Sequence, residues 1–119
     1  IPMVGTEDIG RVCGETLLKE WQGHRVIELE GPRRYSPNDV AAAFSAALQK
    51  PVRAIAVPRA SWTADFEASG MPAGRTEYRS EMVDGFNSGW IEFEQPSADI
   101  YPGKVTLETV IARMVATLS

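Results

Sequence analysis

Hydrophobic positions along this chain follow two periods, one typical of helices and one typical of strands. Apolar residues recur every three or four positions in about five stretches, and these predict helices at residues 6–21, 36–50, around 62–66, 78–86 and after 106. Two runs rich in β-branched residues, 26–30 and 52–57, predict strands. Residues 90–94 predict a short extended piece, and the proline- and glycine-containing residues 95–103 predict a loop.

The order strand, helix, strand over residues 26–57 predicts a crossover that makes the two strands parallel. Parallel strands normally lie inside larger sheets covered on both faces, and a lone pair is marginal. The chain also opens on Ile1, directly in a helix approach. We therefore expect a helix-rich α/β fold whose two-stranded parallel β-α-β unit extends a larger sheet, followed by a small C-terminal helical lobe. Residues 1–119 would form a single C-terminal portion of a larger protein, or a module that completes its sheet with another chain.

Polar residues at the predicted helix starts support the predicted helix boundaries. Thr6 precedes two acidic residues, which the helix dipole favours in a first turn. The run from Ser36 to Asp39 combines a serine cap, a proline at the first helical position and an acid three residues on. Thr106 is the predicted cap of the last helix.

Composition narrows the function classes. The net charge of −4 argues against nucleic acid or an anionic membrane as the main partner. The apolar runs are far shorter than the roughly 20 residues that a membrane span needs, so a cytoplasmic protein is the default expectation. Cys13 is the only cysteine, which excludes an internal disulfide and argues against a cysteine-ligated metal site. Its place on the apolar stripe of the first helix predicts a small core residue.

Several catalytic patterns are absent from the sequence. The glycines are dispersed, and no glycine-rich phosphate loop can be found. None of the three tyrosines has a lysine four positions on, and no Gly-x-Ser-x-Gly elbow occurs. His24, the only histidine, sits after Gly23 at a predicted turn, where a solvated side chain is expected. We therefore predict no catalytic and no metal-binding residue within this chain.

Two places remain as candidates for a substrate pocket. Arg33, Arg34 and Tyr35 follow the carboxyl end of a predicted parallel strand, the edge where open α/β sheets bind ligands, and the arginines suit a carboxylate or phosphate. The alternative is a solvated loop whose tyrosine packs on the sheet. Aromatic residues with a few polar groups are also dense over residues 86–93, as in pocket walls or in a hydrophobic clamp. The substrate-pocket candidates are Phe86, Asn87, Trp90, Arg34 and Tyr35.

Five segments, in this order, resemble the C-terminal half of NmrA-like proteins, which belong to the atypical short-chain dehydrogenase/reductase group. They are IPMVGTEDIGRV at residues 1–12, GHRVIELEGP at 23–32, SPNDVAAAF at 36–44, PVRAIAVP at 51–58 and MVDGFNSG at 82–89. The resemblance covers residues 1 to about 94. It is carried by the ordered set and by no single motif.

The resemblance implies a Rossmann nucleotide-binding half upstream that holds NAD or NADP. This chain would then extend the Rossmann-type sheet and close a smaller lobe over a small-molecule substrate. None of the family's nucleotide-loop residues has a counterpart here, so no cofactor binding is expected from this chain alone. The expected partner is the missing N-terminal Rossmann half or another chain that completes the sheet, and a homo-oligomer is an open alternative.

Three functions stay open from the sequence. The first is the substrate-side portion of an NAD(P)-dependent oxidoreductase. The second is a non-catalytic NAD(P)-sensing regulator or partner-binding module of the same fold. The third is a free-standing structural module that dimerises by sheet completion.

Overall fold

Helices dominate this structure, a computed structural model that describes residues 2–93 and 99–118. The chain divides into two compact units, one formed by Ile1–Ala54 with Glu94–Ser119 and the other by Ile55–Phe93. The strands among the described residues form one two-stranded parallel sheet, so the coarse description as a helix-rich α/β chain is confirmed. No helix in the described ranges is long and apolar enough to cross a membrane.

The elements follow one another in a simple order. They are α1 (Thr6–Leu17), β1 (Ile27–Glu30), α2 (Pro37–Leu48), α3 (Trp62–Ala68), α4 (Thr76–Ser88), β2 (Asp99–Pro102) and α5 (Leu107–Thr117). Short 3₁₀ turns at Arg59–Ser61 and Ala73–Arg75 precede α3 and α4.

The second strand is not where the sequence pattern predicts it. β1 pairs in parallel with β2, from Ile27 opposite Asp99 to Glu30 opposite Pro102, and residues 52–57 form no strand. The hydroxyl of Ser45 accepts from the backbone N–H of Val52 at 2.8 Å and donates to the carbonyl oxygen of Val52 at 3.2 Å. A side chain thus binds the two backbone groups that a neighbouring strand would bind. Strand propensity is strongly context-dependent, and tertiary pairing overrides it here.

The prediction of a loop at residues 95–103 is therefore wrong for Asp99–Pro102. A four-residue strand that ends on proline, next to a glycine, has the composition of a turn. Residues 90–93 form no strand either, and residues 94–98 lie outside the described part of the chain.

The core of the first unit lies around the packed pair α2 and α5. Within the described ranges, the buried apolar residues are Val12, Tyr35, Ala41, Ala43 and Ile111. Ala41 and Ala43 of α2 are buried, and their small side chains allow α5 to pack close to α2.

Helix starts agree with the sequence in two cases of three. The Ser36 hydroxyl accepts from Asp39 N–H, and the Asp39 carboxylate accepts from Ser36 N–H at 2.7 Å, which completes a capping box. The Thr106 hydroxyl accepts from Thr109 N–H at 3.2 Å. The predicted cap at Thr6 is wrong, because α1 begins at Thr6 itself and its capping position, Gly5, has no side chain to offer.

The second unit is a pair of helices, α3 packed on α4. The Trp62 indole N–H donates to the carbonyl oxygen of Val57 at 2.9 Å. Arg59 reaches from the 3₁₀ turn to the Asp84 carboxylate at 2.7 Å. These contacts hold the segment before α3 against the two helices.

Candidate functional site

The two arginines after β1 already have carboxylate partners within the chain. Arg34 Nε lies 3.2 Å from Glu30 Oε2, and the Arg33 guanidinium lies 3.1 Å from Asp39 and 3.0 Å from Glu108. Hydrogen bonds from the Ser36 hydroxyl and N–H, together with Arg33, lower the pKa of Asp39 to about 2. The arrangement favours the solvated-loop interpretation of these arginines over an anion site.

Tyr35, which lies in the same loop between β1 and α2, is buried. Its hydroxyl accepts from Leu107 N–H at 3.1 Å, and the Arg33 guanidinium stacks 4.1 Å from its ring centroid. The ring also lines an apolar cleft of about 370 Å³ together with Val110 and Met114. Tyr35 therefore joins the β1–α2 loop to the start of α5, which is a packing role.

Asp8, one of the two acidic residues in the first turn of α1, is buried, at 1% exposure. Its Oδ2 accepts from the backbone N–H groups of Lys104 and Val105, each at 2.8 Å, and its Oδ1 accepts from Arg11 at 3.1 Å. The hydrogen bond from Val105 N–H lowers the pKa of Asp8, and those from Arg11 and Lys104 add to this, while burial opposes them. The backbone N–H groups between β2 and α5 therefore already donate hydrogen bonds to a carboxylate of the chain itself.

Gly103 makes room for this carboxylate. A Cβ at position 103 would lie 2.5 Å from Asp8 Oδ2 and 3.0 Å from the carbonyl oxygen of Glu30. Gly103 N–H in turn donates to that carbonyl at 2.6 Å. Position 103 therefore requires glycine, because any side chain there would collide with the Asp8 carboxylate.

An uncovered apolar hollow of about 550 Å³ lies between α1 and β1. It is lined by Val4, Ile9, Val12, Cys13, Thr16, Leu17, Ile27 and Leu29. The prediction that Cys13 is a core residue is wrong, because Cys13 is exposed at this hollow. The apolar stripe of α1 is real, but only Val12 among its residues is buried, and Leu17 is 78% exposed.

The aromatic candidates lie in the second unit, whereas Arg34 and Tyr35 belong to the first. Asn87 and Trp90 line one open hollow of about 530 Å³, and Phe86, at 39% exposure, is not among its lining residues. The hollow is lined by Glu81, Asp84, Gly85, Asn87, Ser88 and Trp90. Of the three aromatic-cluster candidates, the structure brings together Asn87 and Trp90.

Gly85 shapes the turn that carries Trp90. A Cβ at Gly85 would lie 2.7 Å from Ile91 Cδ1, so the absent side chain lets Ile91 fold back on α4. Ile91 N–H donates to the Gly85 carbonyl at 3.1 Å, and Gly89 takes a φ of +75° that favours glycine. With Ile91 anchored on the helix, the Trp90 side chain remains 83% exposed.

His24 is exposed, as its predicted turn position suggests, and no group of three or more His, Cys, Asp or Glu side chains in the described ranges has the arrangement of a metal site. No protein-family model, curated protein or solved structure matches this chain. The resemblance to NmrA-like proteins stays a prediction from the sequence.

Proposed function

We propose that this chain is the substrate-side portion of an NAD(P)-dependent oxidoreductase of the NmrA-like group, acting in the cytoplasm. The observation that carries the proposal is the parallel pair β1 and β2 with an apolar hollow open beside it. In the complete protein, a Rossmann half would cover this hollow and continue the sheet.

The exposed apolar surface supports a missing covering layer. Ile9 and Leu17 of α1 are exposed at the hollow, and Ile27 and Leu29 of β1 line its other wall. Parallel strands are characteristically covered on both faces, and a contiguous apolar patch on a protein surface marks an interaction site.

NAD or NADP would be held by the other half of the protein. The two arginines after β1 are paired with carboxylates, and Asp8 occupies the N–H groups of Lys104 and Val105. Positive charge and backbone donors are the groups that bind a pyrophosphate, and Arg33, Arg34 and the N–H groups of Lys104 and Val105 already have partners within the chain.

Asn87 and Trp90 are the proposed substrate contacts. The test uses the protein encoded by the complete reading frame and follows NADPH consumption with small carbonyls and quinones. We expect turnover, and Asn87→Ala should lower kcat/KM about fivefold while costing no more than about 1 kcal/mol of stability, as for a partly solvated hydrogen bond. Asn38→Ala, which removes an exposed amide from the first unit, is the matched control.

Unchanged kinetics in a folded Asn87→Ala variant would indicate that Asn87 and Trp90 have only a packing role. A complete reading frame without a strand and glycine-rich turn ahead of these residues would contradict the oxidoreductase proposal itself.

The second candidate is a partner-binding module of the same fold that holds the dinucleotide without turning it over. The exposed indole of Trp90 favours it, because exposed tryptophans are frequent anchors of protein interfaces. Binding of NADPH by the complete protein with no consumption across the carbonyl and quinone panel would select this candidate.

A further inference from the structure

The second unit contains two arginines stacked over aromatic rings. The Arg59 guanidinium lies 5.7 Å from the Trp62 ring centroid, and that of Arg79 lies 6.0 Å from the Phe66 ring centroid. Arg59 is also paired with Asp84 at 2.7 Å. One set of indole, guanidinium and carboxylate is therefore complete within the chain.

Trp90 also lies near acidic residues, but without a stacked cation. The acidic residues Glu81 and Asp84 line its hollow, and no lysine or arginine is among the lining residues. Over the described part of the chain, no cationic group stacks on the Trp90 ring. Asp84 is already paired with Arg59, and Glu81 is the other acidic residue that lines the hollow.

The turn after α4 presents this ring to solvent. Ile91 occupies the space that Gly85 leaves, and the Ser88 hydroxyl accepts from the backbone N–H of Trp90 at 3.4 Å. A glycine in a helix interior weakens the helix relative to alanine. The glycine that weakens α4 is therefore the one that fixes the backbone carrying the exposed indole.

We propose that the hollow beside Trp90 binds a guanidinium group. The planar cation would stack on the indole face, and its N–H groups would donate to the Glu81 carboxylate. Tryptophan is the best aromatic partner of a cation, and the guanidinium fork matches a carboxylate while stacking on a ring. The hollow is the one whose Asn87 and Trp90 are the proposed substrate contacts, but the argument for a guanidinium uses contacts of the second unit alone and its test does not involve turnover.

The test is a titration of the 119-residue chain with N-acetyl-arginine amide, followed by proton–nitrogen correlation spectra of the three indole N–H groups. We expect the Trp90 signal to shift saturably, with a dissociation constant of about 1–10 mM, while those of Trp21 and Trp62 stay in place. N-acetyl-citrulline amide has the same shape without the charge and should produce no saturable shift.

Three variants separate recognition from general charge effects. Glu81→Gln should weaken binding at least about fivefold, and Trp90→Ala should abolish it. Glu77→Gln removes a carboxylate from α4 that is not in the hollow, so it should leave binding unchanged. An equal response to citrulline, an equal shift of all three indoles, or full binding by Glu81→Gln would each overturn the proposal.

A second arm identifies the source of the guanidinium. An arginine within a polypeptide predicts that an acetylated Gly-Arg-Gly amide binds at least about fivefold more tightly than methylguanidinium, through added backbone contacts. Equal affinities indicate a small guanidinium compound. Both outcomes support the site, and failure of both ligands to bind overturns it.

Discussion

Replacing Asp8 by asparagine tests whether one buried carboxylate holds the segment between β2 and α5. Asparagine keeps an oxygen that can accept from Lys104 and Val105, but it removes the negative charge and turns an amide N–H₂ toward Arg11. The perturbation therefore changes the strength of three interactions with almost no change in shape.

The expected cost follows from these three interactions. Hydrogen bonds to a charged group contribute about 1 kcal/mol more than neutral ones, and two backbone donors are affected. The pair with the partly exposed Arg11 adds up to about 1 kcal/mol. Asp8→Asn should therefore lower the free energy of unfolding by about 2–3 kcal/mol at pH 7.

Urea unfolding followed by circular dichroism measures this difference, and the pH dependence identifies its source. The pKa of Asp8 is lowered in the folded state, so its stabilisation is present above the unfolded value of about 3.9 and is lost as pH falls through the folded value. The difference between the two proteins should shrink below about pH 4.

Glu15→Gln is the control, because Glu15 also pairs with Arg11, at 3.0 Å, but is exposed. Its effect should stay within about 0.5 kcal/mol. A difference of less than 0.5 kcal/mol for Asp8→Asn, or one that persists unchanged at low pH, would refute the reasoning.

Other predictions follow from the same structure. Gly103→Ala should destabilise the chain by about 1–3 kcal/mol, because its Cβ would collide with the Asp8 carboxylate. Gly14→Ala, which has open space around its Cβ, should instead stabilise the chain by about 0.5–1 kcal/mol. Urea unfolding measures both variants, and equal effects would contradict the close approach at Gly103. Calorimetric titration of the 119-residue chain with NADP should give no saturable heat at micromolar concentrations, since no glycine-rich turn is available, and clear binding would contradict the proposed division of labour. Sedimentation should show concentration-dependent association through the hollow of α1 and β1, which Leu17→Glu should reduce; a stable monomer at high concentration would contradict it.

Local features of the fold were predictable from the sequence, because their causes lie within a few residues. The capping box at Ser36 and Asp39 satisfies its donors within one turn, and the same holds for Thr106. The apolar stripe of α1 follows from the period of its hydrophobic residues in the same way.

Long-range features were not predictable in this way. β1 pairs with residues 99–102, whose composition is typical of a turn. Residues 52–57 have the stronger strand propensity, but they pair with no strand. Asp8 finds its backbone donors 96 and 97 positions away, so no local pattern marks it. Cys13 lies on an apolar stripe, and periodicity identifies such a stripe without saying whether anything covers it.

The pairing of β1 with β2 also sets the order of events during folding. The second unit, Ile55–Phe93, lies entirely within the connection between the two strands. A connection of about 70 residues costs roughly 2.5 kcal/mol more loop-closure entropy than a four-residue hairpin. During synthesis, β1 leaves the ribosome long before its partner exists, whereas α3 and α4 can pack as soon as both are made. We therefore expect the second unit to form before the sheet whose strands flank it in the sequence, and the four-residue pairing of β1 with β2 to be among the last contacts made.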